Sequence, residues 1–331
     1  MPASSQAPVQ PHTHFAIEPQ VISTREGIQA VKWSFFGLAF TALLQLLVVF
    51  ITGSVALLAD AIHNFGDAFT AVPLLAAFIL STWKPDDKFT FGYGRVEDLA
   101  GVFVIIMIFI SAVLAGFVSI QRLFHPEGVS LPGAVALAAG IGFVGNELVA
   151  RLRIHVGKKI GSAALVADGV HARADGFTSL SVLLGALGVY LGFPVADPII
   201  GIGITIAILF FAYDTGKIVL LRLLDAVDPS IPGHLRLIAV QIPGVLAIPE
   251  VRVRWIGHRL FAELTITVNA TLTVIEGHAL AREVRHELLH HLRYLSDVTV
   301  HVDPSTESGP EYHTDTENHR LPPDYRRIQK I

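Results

Sequence analysis

Two stretches of the sequence repeat one arrangement of acids and imidazoles. Residues 59–70 read Ala-Asp-Ala-Ile-His-Asn-Phe-Gly-Asp-Ala-Phe-Thr, and residues 167–178 read Ala-Asp-Gly-Val-His-Ala-Arg-Ala-Asp-Gly-Phe-Thr; six of the twelve positions agree. Both contain D-x-x-H-x-x-x-D, formed by Asp60, His63 and Asp67 in the first copy and by Asp168, His171 and Asp175 in the second. Positions i, i+3 and i+7 share one stripe of a 3.6-residue helix, so each copy points three side chains the same way. If the stripes face each other, His63, Asp67, His171 and Asp175 offer two imidazole nitrogens and two carboxylate oxygens. That donor set suits a tetrahedral Zn²⁺ ion, and Co²⁺, Fe²⁺ or Ni²⁺ also accept it. A purely structural Asp–His lock between two helices is the alternative, but unneutralised buried carboxylates make such a lock costly. Asp60 and Asp168 precede the histidines by one turn. They are read as acceptors that orient the imidazoles, as a vestibule for entering cations, or as extra ligands; spacing leaves all three open. Arg173 lies about 100–200° around the helix from His171 and Asp175, and is expected to pair with a neighbouring acid.

The elements that carry these residues read as membrane helices. Of 331 residues, 52% are hydrophobic and only 16% charged, against about a quarter in a soluble domain. Six apolar stretches, at residues 33–52, 54–80, 99–120, 130–149, 163–191 and 198–220, are each near the ~20 residues that a helical crossing needs. The first, third, fourth and sixth carry almost no charge, whereas the second holds Asp60, His63 and Asp67 and the fifth Asp168, His171, Arg173 and Asp175; ionisable groups at that depth face the bundle interior and mark function. Basic residues alternate with the loops. Arg25, Lys32, Lys84, Lys88, Arg95, Arg151, Arg153, Lys158, Lys159, Lys217 and Arg222 share one side, and only Arg122 stands on the other; this places both termini in the cytoplasm.

Composition also excludes several partners. A net charge of −4, with 24 basic and 28 acidic residues, supplies no basic field for nucleic acid. The chain has no cysteine, so disulfides and thiolate ligands are ruled out and copper(I) handling is disfavoured. Residues 1–28 have neither a basic n-region nor a short apolar h-region, and are expected to be a disordered cytoplasmic leader ahead of a membrane domain over residues 29–225.

After Asp225 the periodicity predicts a helix at 232–241, strands at 251–256 and 260–269, a helix at 274–292 and a strand at 298–302. This αββαβ unit occupies residues 226–304, and the polar segment 305–331, with His313 and His319, is expected to be disordered. Residues 286–290 spell H-E-x-x-H, the zinc-protease signature. The apolar stripe Leu280, Val284, Leu288 and Leu292 turns His286 and His290 to the opposite face, so the match is read as incidental and the chain as no enzyme.

Three motifs in order, the paired H-x-x-x-D elements, Phe91-Gly92-Tyr93-Gly94-Arg95-Val96-Glu97-Asp98 and Leu223-Leu224-Asp225, resemble those of the cation diffusion facilitator family of divalent-metal/proton antiporters. The resemblance covers about residues 25–304. It implies that His63, Asp67, His171 and Asp175 are the transport ligands, in a composition similar to that of the zinc-preferring branches; manganese branches usually lack these histidines. It implies an inter-subunit charge interlock between Arg95 and Asp225. Phe89 and Tyr93 stand where some relatives carry an accessory histidine site, and the loop around residues 151–161 lacks a His-rich tract, as in compact bacterial exporters. The last third resembles the family's ferredoxin-like cytoplasmic dimerisation domain, which implies a homodimer. There, His278, His301 and Asp303 match regulatory metal positions; Pro249 and Thr265 occupy two others, with His258 as a substitute ligand.

The resulting expectation is an α-helical membrane protein: six transmembrane helices followed by a small ferredoxin-like αββαβ domain, in the plasma (inner) membrane. It exports a divalent cation, Zn²⁺ foremost with Fe²⁺, Co²⁺, Ni²⁺ or Cd²⁺ as alternatives, in exchange for protons that compete for the same ligands. No organic cofactor is required. The alternative is a membrane-anchored metal sensor, which binds cation without turnover.

Overall fold

The computed structural model describes residues 19–52, 65, 71–124, 132–193, 195–292, 294–306 and 308. Helices α1 (Pro19–Thr52), α2 (Ala71–Leu80), α3 (Arg95–Phe124), α4 (Pro132–Ile160), α5 (Ala163–Tyr190) and α6 (Ala196–Leu223) form a bundle. Among the described residues, four helical segments are long and apolar enough to cross a bilayer: Ser23–Ile51, Arg95–Phe124, Gly133–Ile160 and Ala196–Leu223. The polar first half of α5 holds Asp168, His171, Arg173 and Asp175. The expected second crossing falls largely outside the described residues, which keep its last part as α2.

Two helices are longer than hydropathy indicates. α1 begins at Pro19 rather than at residue 33, and α4 continues to Ile160 rather than stopping at 149. The expected disordered leader therefore gives way to helix ten residues before its assigned end at residue 28. Packing explains the extensions: Ala30, Val31 and Ile160, which lie beyond the apolar stretches, join Leu74, Phe78 and Leu165 in one buried cluster. A helix end follows what its flank can bury, and hydropathy windows see only the lipid-facing part.

The bundle is inside out relative to a soluble domain. Trp33, Phe36, Phe40, Phe50, Phe117 and Phe210 are exposed, whereas Ser34, Thr41, Ala42 and Gln45 are buried. Lipid is as apolar as leucine, so helices gain by close approach of small residues rather than by hiding large ones. At Gly169 a Cβ would stand 2.7 Å from Ile154 Cγ1 and 3.0 Å from the Ile154 backbone nitrogen, so α4 and α5 meet almost backbone to backbone.

The C-terminal domain has the expected order: α7 (Ser230–Val240), β1 (Ala247–Ile256), β2 (Arg259–Val268), α8 (Val274–His291) and β3 (Leu295–Pro304). β2 is central, antiparallel to β1 and parallel to β3. Leu235, Trp255, Ile266, Val284 and Leu288 fill its core. A capping box starts α8: Thr273 N donates to Glu276 Oε2 at 2.8 Å, and Glu276 N donates to Thr273 Oγ1. β1 starts four residues before the alternating pattern because a bulge between Ala247 and Glu250 interrupts its period. Its side chains Glu250 and Arg252 pair at 2.6 Å, and Arg254 reaches Glu263 at 3.5 Å.

α6 ends in a Schellman motif. Ala226 N donates to Leu221 O at 2.8 Å and Asp225 N to Arg222 O at 3.1 Å, with Asp225 in the left-handed region at φ 61°. Glycine is the usual occupant there; the aspartate instead accepts from Arg95. Asp225→Ala keeps the backbone strain and loses the ion pair, so it is expected to cost about 1 kcal/mol. Asp225→Gly relieves the strain as it loses the pair and should leave the thermal unfolding midpoint in detergent nearly unchanged.

Candidate functional site

The fifth-helix stripe is realised in the structure. Asp168, His171 and Asp175 are 0%, 2% and 7% exposed, and His171 Nε2 lies 3.8 Å from Asp175 Oδ2. Asp60, His63 and Asp67, the matching stripe, lie outside the described residues. Among the described residues no three His, Cys, Asp or Glu side chains converge.

Asp168 has a further partner that spacing does not reveal. Arg153 on α4 reaches its Oδ2 at 3.1 Å, with both side chains at most 1% exposed, and Arg153 Nη1 also donates to the Asp168 backbone oxygen at 3.4 Å. Hydropathy counts Arg153 as a loop charge; the extension of α4 carries it into the bundle against α5. A buried guanidinium beside a buried carboxylate offsets part of the desolvation cost of both. Asp168 thus neutralises Arg153 beside the candidate site. Arg173 pairs with Glu147 of α4 at 3.1 and 3.2 Å, as its helix angle predicts, and Glu147 also accepts from Arg151.

Sequence reasoning also passes over Asn146. It is 1% exposed, and neither carboxamide atom has a hydrogen-bond partner among the described residues. A Cβ on Gly176 would stand 3.3 Å from Asn146 Cβ, so Asn146 sits at the depth of Asp175. One asparagine in an apolar run gives no periodic signal. On the other side of α5, a cavity of about 320 Å³ runs between α3, α5 and α6, from Asp175 past Ser111, Thr178 and Thr205 to Arg122 and Asp197. The last two form an ion pair at 3.1 Å.

The four residues offered as a second metal site in the C-terminal domain do not meet in the chain. His301 Nε2 lies 2.9 Å from Asp303 Oδ1. His278, on α8, instead lines a cavity with Val300, Val302 and Pro304, the strand positions that alternate with His301 and Asp303. Strand alternation thus puts His278 and the His301–Asp303 pair on opposite faces of β3. His258 is farther still: its Nδ1 lies 2.6 Å from Glu97 Oε2 at the start of α3. The expected quartet is corrected to one His–Asp pair and two separate histidines. Arg95 and Asp225, expected to interlock between subunits, instead pair with each other within a single chain. Phe89 and Tyr93 pack ring against ring at 4.6 Å, and the Tyr93 hydroxyl donates to Asp86; that hydrogen bond holds the Asp86 carboxyl below its ordinary pKa. His286 and His290 are exposed on α8.

Asp168→Ala leaves Arg153 buried without its counter-charge and is expected to cost about 3–5 kcal/mol of unfolding free energy. Arg153→Met combined with Asp168→Ala should recover most of that loss in a denaturant titration of the detergent-solubilised chain. Strictly additive losses would show that the two charges do not depend on each other.

Known proteins supply an independent comparison. The family profile for the cation efflux transmembrane domain matches residues 31–224, and that for the cation efflux protein cytoplasmic domain matches residues 229–305. A "Probable cation efflux system protein" of Mycobacterium tuberculosis is 48% identical over 308 residues, covering 92% of this chain and 93% of the relative. An uncharacterized transporter of Methanocaldococcus jannaschii is 26% identical, covering 84% of this chain and 99% of the relative. The manganese efflux system protein MneP of Bacillus subtilis is 29% identical, covering 77% and 88%. With its buried acidic and imidazole stripe inside an apolar bundle, the chain belongs to the cation diffusion facilitator family: it is a multi-pass membrane protein and a cation efflux transporter, and not an enzyme.

Proposed function

We propose that the chain exports Zn²⁺ from the cytoplasm in exchange for protons, as a homodimer in the plasma (inner) membrane. It has six crossings and cytoplasmic termini, with a membrane domain over residues 29–225 and a ferredoxin-like dimerisation domain over residues 226–304. The observation that carries the proposal is the buried His171–Asp175 stripe, whose sequence is repeated by His63 and Asp67. A site of two imidazoles and two carboxylates favours Zn²⁺ over an all-oxygen site suited to Mn²⁺. In this reading MneP, a manganese system by name, differs from the chain in cargo.

Metal and protons compete for the same lone pairs, because imidazole and carboxylate must be deprotonated to coordinate. Loading therefore proceeds at cytoplasmic pH, and arrival of protons from the acidic side releases the cation. The histidines are the exchanging groups, since their ordinary pKa of about 6.5 lies within the range crossed. The cavity between α3, α5 and α6 gives Asp175 an aqueous approach, lined by hydroxyls that replace part of a hydration shell.

Zn²⁺ flux into proteoliposomes, with and without an imposed pH gradient, tests this reading. Gradient-dependent accumulation is expected, and Asp67→Ala or Asp175→Ala should abolish it in a protein that remains a folded dimer. Saturable binding without accumulation would point to a sensor. His63→Asp should weaken discrimination of Zn²⁺ against Cd²⁺ and Mn²⁺; an unchanged selectivity profile would refute the imidazole's role. Glu287→Gln, in the H-E-x-x-H match, should transport as well as the parent.

A further inference from the structure

We infer that Thr24, His258, Glu97 and Ser162 form a hydrogen-bonded chain through which the C-terminal domain holds the first turn of α5, making His258 and Glu97 positioning residues for the cation ligands on that helix. The inference rests on the efflux reading only for what α5 carries; the chain of contacts stands by itself. His258 occupies the two-residue turn between β1 and β2. Its Nδ1 donates to Glu97 Oε2 at 2.6 Å, and its Nε2 meets Thr24 Oγ1 of α1 at 3.0 Å. The other carboxylate oxygen of Glu97 accepts from Ser162 Oγ at 2.5 Å. Ser162 is the residue before α5, and its Oγ in turn accepts from Leu165 N at 3.0 Å, which caps the helix. From Ser162 the same helix runs to His171 and Asp175, about 14 and 20 Å along its axis at ~1.5 Å per residue.

The joint has little slack. Gly257 adopts φ 60°, and a Cβ there would stand 2.8 Å from both Glu97 Oε2 and Gly94 O, so the strand turn enters where only glycine fits. Gly257 N donates to Asp98 Oδ2 at 3.1 Å. A second grip lands one residue away, on the turn between α4 and α5. Arg222 donates to Gly161 O while its guanidinium stacks on Trp255 of β1 at 4.3 Å.

Adhesion alone does not explain this chemistry. The Glu97 and His258 side chains are each 1% exposed, and a buried carboxylate with its hydrogen-bonded partner holds two surfaces no better than apolar side chains of like size. What it adds is direction, because each group has a fixed acceptor or donor and a shift at His258 is handed to the cap of α5.

The test uses the full-length chain in detergent and in proteoliposomes. Hydrogen exchange at the Leu165 amide reads the cap, and Zn²⁺ flux is resolved into turnover and KM. His258→Ala is expected to speed that exchange about tenfold, the loss associated with one charge-assisted hydrogen bond. Turnover should fall by a similar factor, with KM changed less than about twofold because the ligands themselves remain. His258→Asn, which keeps a donor towards Glu97, should restore most of both. Ser162→Thr should behave as the parent, whereas Ser162→Asp caps α5 without donating to Glu97 and should retain exchange protection yet lose turnover. If monodisperse His258→Ala matches the parent in exchange and turnover, or if His258→Asn is no better than His258→Ala, the relay is wrong. If the parent moves no cation, the efflux reading falls while exchange at Leu165 still decides the relay.

Discussion

A charge carried into a lipid-facing bundle has no water to receive it, so every one must find its complement inside the protein. That constraint orders the membrane half. Arg153 is matched by Asp168, and Arg173 by Glu147, each across the same pair of helices. α4 and α5 are thereby tied by ion pairs as well as by the backbone approach at Gly169. Asp175 has a different kind of described neighbour, the imidazole of His171 on its own helix. Guanidinium partners neutralise Asp168 and Glu147, whereas the partner given to Asp175 is an imidazole.

The same logic extends to the boundary between the two halves. Glu97, Asp98, Arg95, Arg222 and Asp225 lie where α3 and α6 meet the C-terminal domain, and each has a partner from another segment. Side chains from both halves interleave in this layer: Trp255 and His258 come from the C-terminal domain, Phe78 and Thr24 from the bundle. An apolar seam would tolerate sliding. Directional bonds to buried acids do not, so displacement of the sheet is opposed by the helices it touches.

Much of this was legible in the sequence, for identifiable reasons. The D-x-x-H-x-x-x-D repeat has helical period, so the common face of Asp168, His171 and Asp175 follows from spacing alone. The αββαβ order follows from period-two runs such as Leu260 to Ile266 bounded by turn residues. Arg153 was misread because a hydropathy window ends where charge begins, although a helix continues as long as its flank can be buried. His258 was misread for a related reason: a histidine in a metal-handling chain suggests a ligand, but its partner Glu97 is 161 residues away and no local pattern joins them. Residues that meet through tertiary contact leave periodic traces only when both lie on regular elements with one face each, as His278 and the His301–Asp303 pair illustrate by landing on opposite sides of β3.

Among the described residues β1 and β3 are the outer strands of the three-stranded sheet, and an outer strand offers backbone groups to whatever lies beside it. On β1 that border carries Glu250, Arg252 and Arg254, which pair among themselves and with Glu263. A strand-like segment of another chain that approaches this border must strip water from fixed charges before any ladder can form. Charge along this outer strand opposes edge-to-edge joining with a second copy of the sheet.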